Sequence, residues 1–338
     1  MKKRILSVVL AAAMLIGTAA AALMQAPAVP AQAAAGGAYI SEINGEPTRT
    51  SVQGVRPIAV MIDNDRAALP HFGLAQADVV YELVNSTANN RITRLMAIYK
   101  NWDQVQKMGS TRSTRPTNIL LAAEWDAVLC HDGGPFYNDP YFAAPWSTPH
   151  FSAGFTRVNN GKRYEFTEFV MSSDVSRRFA ASGVPIGYTK PVGNHFNFGA
   201  ANLAAKGGVP VNIVSLPFAN TKSQLRYNPA TQTYDYWEFG SPARDGGTNL
   251  QVTFKNVIIQ NCDIHVYDRN GYLIYNCIGF STGWYLTDGL CIPISWAKAG
   301  ELTKTVYTTA DGKELVVNPG KTYITLVPSD TWGQVAFQ

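Results

Sequence analysis

The chain has 338 residues, 46% of them hydrophobic and 15% charged, with a formal net charge of +4. Removing residues 1–33 takes away three positive charges (Lys2, Lys3 and Arg4) and no acids, which leaves 305 residues and a net charge of +1. That balance excludes a general polyanion-binding surface and gives no reason to expect a nucleic-acid partner, so any anion site must be local. The length allows two domains, each with its own core.

The basic start is followed by an apolar run from Ile5 to Met24 and by Ala31-Gln32-Ala33, small residues at the positions a signal peptidase reads. Residues 1–33 are therefore expected to be a secretory signal peptide. No cysteine lies near that exit to carry a bacterial lipid anchor. The expected product is secreted and envelope-associated, without a stable membrane anchor after cleavage. Residues 34–55 read as an exposed lead-in.

An N-terminal domain is expected over residues 56–208. PIAVMID (57–63), DVVYELV (78–84), ITRLMAIY (92–99) and DAVLCH (126–131) are apolar, β-branched runs of strand length. PTNILLAAEW (116–125) reads as a helix with Pro116 in its first turn. This alternation predicts a mixed α/β unit. Residues 133–170 are rich in Pro, Gly and aromatics and read as a long loop, a place where function often sits. SSDVSRRFAAS (172–182) reads as a short helix with Ser173 or Asp174 near its start.

From residue 209 to 338 the chain is a succession of short β-branched and aromatic runs separated by NPAT, RNG, TDG, ADGK and NPG. Turn signals this regular predict a β-rich, mainly antiparallel C-terminal domain, and α+β as the class of the whole. Cys262 and Cys277 flank DIHVYDRNGYLIYN. With a turn at Asp268–Gly271, Tyr267 faces Tyr272 and Cys262 faces Cys277, so a disulfide is one expectation and two buried thiols the other. Cys130 reads as a core residue.

PIAVMIDN, GLAQADVVYEL, ITRLMAIY, GSTRSTRP and EWDAVLCHDGGP, in that order, resemble the N-terminal domain of the YerB-like family of bacterial cell-envelope proteins. LRYNPATQTYDY, KNVIIQ, TGWYLTDG and DGKELVVNPGKTYITLVP resemble its C-terminal domain. The resemblance covers roughly residues 55–330. It implies a cell-envelope location and no settled activity. Members are typically lipoproteins, and this chain departs from them in lacking the lipidation cysteine.

Arg112 and Arg115, with Ser113 between them, precede the predicted helix. Two guanidinium forks near a helix N-terminus suit a phosphate or carboxylate. The alternative is that they pair with Asp63, Asp78, Glu82 or Asp126 and tie strand ends together. Asp63 and Asn64 close the first strand and Glu82 lies in the second, where acids beyond strand ends either meet a ligand or cap turns. Arg94 sits among apolar neighbours on its own strand face and needs a partner, Glu82 or a ligand. His131 ends a strand before Asp132-Gly133-Gly134 and is either a ligand contact or a structural donor. No HExxH, paired CxxC, GxSxG, Walker loop or dinucleotide fingerprint is present, so no metal and no cofactor are expected. The functional expectation is an anionic, phosphorylated or carboxylated ligand, such as a cell-wall component. A wall-polymer phosphotransferase-like enzyme and a non-catalytic scaffold for an envelope partner remain as alternatives.

Overall fold

The computed structural model describes residues 38–338; the signal-peptide reading lies outside that range. The chain is β-rich with few helices. Its centre is an 11-stranded mixed sheet. The strands of that sheet are β1 (Ile58–Asp63), β2 (Val79–Val84), β3 (Thr93–Tyr99), β4 (Val128–His131), β5 (His150–Ser152), β6 (Val209–Pro210), β7 (Asn256–Cys262), β8 (Gly279–Thr287), β9 (Leu290–Lys298), β10 (Val306–Thr309) and β11 (Thr322–Pro328). They lie in the order β6-β9-β8-β7-β11-β2-β3-β1-β4-β5, with β10 also paired to β9.

Every residue of β1, β2, β3 and β11 is buried, as expected for strands covered on both faces. β11 runs parallel to β7 on one side and to β2 on the other. Backbone hydrogen bonds therefore cross between the residues before 208 and those after 209. A second, antiparallel six-stranded sheet, built mainly on Gln224–Asn228 and Thr233–Glu238, packs beside the first. Burial alternates along Thr233–Glu238, the pattern of a strand with one covered face.

Two helices exceed eight residues among those described: α1 (Pro116–Glu124) and α2 (Ser172–Ser182). Pro116 opens α1, where its missing N–H costs nothing. The Asp174 carboxylate accepts the Met171 N–H at the start of α2, and Gly183, with φ of 72°, ends it.

The strands Ile264–Val266 and Leu273–Tyr275 form a hairpin closed by a turn at Asp268–Gly271. Tyr267 faces Tyr272. The observed pairing ends at Ile264 and Tyr275, two residues short of Cys262 and Cys277, and all four cysteines are buried, free thiols.

Candidate functional site

Asp63 closes β1, and the antiparallel register sets Arg94 of β3 directly opposite it. The segment GSTRSTR then folds back against the end of β1. Asp63 N–H donates to Ser110 O at 2.9 Å, and Arg112 N–H donates to Met61 O at 3.2 Å. These bonds bring two guanidiniums, of Arg94 and Arg112, to one carboxylate, with that of Arg115 lining the same cleft. Arg112 Nε lies 2.8 Å from Asp63 Oδ2, without hydrogen-bond alignment, and its Nη1 lies 3.7 Å from Glu165. Arg94 Nη1 donates to Ser113 O at 3.0 Å, while its Nη2 is 3.9 Å from Asp63.

Arg115 is different. Its Nη1 donates to Thr114 O at 2.7 Å and its guanidinium lies 4.0 Å from the centre of the Tyr272 ring. Among the described residues no carboxylate pairs with it, and its Nε has no partner. Yet Arg115 is only 6% exposed. Burial lowers its pKa. Burial likewise lowers Arg94 to about 10, with Asp63 opposing the shift and the two neighbouring arginines adding to it. An entering anion would relieve the mutual repulsion that both arginines feel.

These side chains form one wall of an open cleft of about 990 Å³. The loop Asn85–Asn89 and the hairpin tip, Val266 and Asp268–Tyr272, form the facing wall, with Arg163, Glu165 and Phe166 at the rim. Five arginines and four carboxylates line it. All four carboxylates are engaged: Asp63 accepts the Asp65 N–H and lies against Arg112, Glu165 pairs with Arg163 at 2.8 Å, Asp65 accepts the Ala67 N–H, and Asp268 accepts the N–H groups of Asn270 and Tyr272.

Asp63, Arg94, Arg112, Ser113 and Arg115 are thus brought together, and Asn64, Glu82 and His131 are not. Glu82 is fully buried on the opposite face of the sheet. It accepts hydrogen bonds from Asn64, Thr93, Ser223, Tyr236 and Tyr323. The expected Glu82–Arg94 pair is absent because Glu82 lies opposite Leu95 and Arg94 opposite Leu83, so the two acid and base side chains leave the sheet on different faces. His131 lies outside the cleft. Its Nδ1 is 2.8 Å from Gly133 O and its Nε2 is 3.0 Å from His150. The first residues of α1 are buried and do not line the cleft, so the site rests on side chains and not on the helix end. Tyr272, Arg163 and the hairpin tip were not among the expected residues. The RNG turn signalled the hairpin, but nothing local signalled where it docks.

Family models of the N-terminal and C-terminal domains of DUF3048, a protein family of unknown function, match residues 43–184 and 214–324. The chain belongs to the DUF3048 family. It is 24% identical over 299 residues to "Putative lipoprotein YerB" of Bacillus subtilis (strain 168), covering 85% of each chain. The crystal structure of YerB from Bacillus subtilis superimposes with a TM-score of 0.76 at 21% identity, over 88% of this chain and 99% of that one, which establishes a shared fold. In DUF3048 terms the cleft is composite. Arg94, Arg112, Arg115, Arg163 and Asp63 come from the N-terminal segment, and Val266 and Asp268 to Tyr272, with Arg269, from the C-terminal one.

Proposed function

We propose that this DUF3048 protein is exported to the cell envelope and there binds an anionic ligand, phosphorylated or carboxylated, in the arginine cleft. The observation that carries the reading is Arg115: a buried guanidinium whose side-chain bonds go to one backbone carbonyl and one aromatic ring, facing an open cleft. A structural arginine buried to this degree normally has a carboxylate, because an uncompensated buried charge is costly. The name of the Bacillus relative and the N-terminal pattern of this chain support the envelope location.

Titration calorimetry with inorganic phosphate and pyrophosphate tests it, at low and at high salt. Binding should weaken as salt rises. Arg115→Gln should weaken it about tenfold or more, as expected for one charge-assisted hydrogen bond of about 1.5–3 kcal/mol, with the melting temperature little changed. Equal affinity in the variant, or no binding by the parent chain, would refute the site.

A further inference from the structure

Two thiols at the base of the cleft hairpin have no task in the anion site. β7 ends at Cys262, and the hairpin begins two residues later. Ile264 pairs with Tyr275, His265 with Ile274 and Val266 with Leu273. The same register, carried outward, sets Cys262 against Cys277. Tyr267 N–H donates to Tyr272 O and Asn276 N–H to Asp263 O, so the hydrogen-bonded pairs fall at odd positions of the first strand. The ladder ends at Asp263 and Asn276, where Cys277 N–H turns to Tyr275 O, and the alternation carried one step further sets Cys262 and Cys277 as a non-hydrogen-bonded pair, in which facing Cα atoms approach to about 4.5 Å. A disulfide spans Cα separations of about 4.4–6.8 Å. The Cys262 thiol donates to Asn276 O at 3.3 Å, the residue next to Cys277. Cys130 and Cys291 are buried in the separate strands β4 and β9.

The hairpin is also mechanically placed. Its base continues from β7 in the main sheet. Its tip is bound to the facing loop: Thr87 N–H donates to Gly271 O at 2.8 Å, and the Ser86 hydroxyl to Asn270 O at 2.8 Å. Tyr272, at the tip, lies against Arg115. A covalent link at the base limits how far both strands can move and so holds the tip over the arginines.

We propose that Cys262 and Cys277 are a thiol–disulfide pair that, when oxidised by an external disulfide, clamps the hairpin forming the C-terminal wall of the cleft. One protein thiolate attacks the external disulfide and expels a thiolate, giving a mixed disulfide. The second protein thiolate then displaces the remaining half. The protein loses two electrons and two protons, and the external disulfide becomes two thiols. Both cysteines are buried, so the exchange takes place while the hairpin is open.

The full chain equilibrated in oxidised or reduced glutathione, denatured, alkylated and peptide-mapped provides the test. The oxidised form should have two fewer alkylatable thiols, a linked Cys262–Cys277 peptide, and amide exchange over residues 264–275 slowed about tenfold or more. Four alkylatable thiols in oxidised glutathione, or a link through Cys130 or Cys291, overturns the pair. Unchanged exchange overturns the clamp. The Cys262→Ser, Cys277→Ser double variant should show exchange indifferent to glutathione; redox-dependent protection that survives in it also overturns the assignment. Glutathione is itself a carboxylate, and the double variant in the same buffers separates its occupancy of the arginine cleft from the disulfide, so the outcome stays distinct from that of the phosphate titrations.

Discussion

Asp63 stands between charges of the opposite sign, and its removal should separate stability from affinity. Among the described residues it is the one carboxylate within reach of both Arg94 and Arg112, and its side chain is almost wholly buried. Asp63→Asn keeps the shape and the acceptor for the Asp65 N–H, but leaves the arginines to repel one another. The variant should lose about 1–3 kcal/mol of stability and bind phosphate more tightly than the parent. Denaturation with and without saturating phosphate checks both signs, and an affinity that falls with stability would mean Asp63 only props up the loop. His131 makes a pH-dependent case. Burial lowers it from an ordinary 6.5 to about 4. A histidine depressed on folding contributes stability that is complete above 6.5 and is lost as the pH falls through about 4, because the unfolded chain then binds the extra proton. The parent should weaken over that window by at most about 3 kcal/mol. His131→Phe should have a shallower slope in urea titrations from pH 7 to pH 4, since Gly133 O keeps the Thr114 N–H. At this scale the arginines were legible because they cluster in eight residues before a proline. Glu82 and Asn64 were not, because a neighbouring residue in a strand points to the other face and the pairing register decides which acid meets which base.

The hairpin 264–275 carries the cleft wall through one glycine. Gly271 has φ of 70°, and a Cβ there would fall on the Thr87 hydroxyl. Gly271→Ala should therefore push the tip away from the loop Asn85–Asn89 and open the cleft. The cost should be about 1–3 kcal/mol from backbone strain, with phosphate affinity reduced about threefold or more as Tyr272 leaves Arg115. Calorimetry together with the exchange of the Thr87 amide, which donates to Gly271 O, would show both effects; a retained Thr87 bond with intact affinity would show that the wall is not tied at this point. The turn itself was readable from Asp268 to Gly271, because its chemistry is local. Its docking was not, since it depends on residues far away in the chain. The turn at Asp311-Gly312 repeats the lesson. Gly312 N–H donates to Thr309 O and Thr308 pairs antiparallel with Glu314, as the dipeptide predicts, while Val316–Val317 goes on to pair in parallel with the distant Asn197–Phe198.

At the scale of the whole molecule, the change of composition near residue 209 marks a change of local structure, while β11 joins what lies on either side. β11 hydrogen-bonds to β2 from Thr322↔Val79 to Leu326↔Leu83, and to β7 along its full length. Polar ties follow the same seam. Glu82 of β2 accepts from Tyr323, Ser223 and Tyr236, and Glu124 of α1 accepts from Lys298 and Thr305. A fragment ending at residue 208 would expose the apolar edge of β2, and would strip Glu82 of most of its partners and Glu124 of Lys298 and Thr305. Each large side chain so uncovered forfeits about 1.5–3 kcal/mol, and a few of them exceed the 5–15 kcal/mol on which a folded domain typically rests. Residues 38–208 alone should therefore fail to fold, and the intact chain should unfold in one step. Trp102 and Trp125 report on the first half, Trp284 and Trp296 on the second, and denaturation followed by single-tryptophan variants should give coincident curves. A folded 38–208 fragment with dispersed amide resonances, or two separated transitions, would show that the parallel pairing of β11 with β2 is an interface between independent units. In that event the cleft, which is lined by residues of both segments, would open and close with the relative motion of the two.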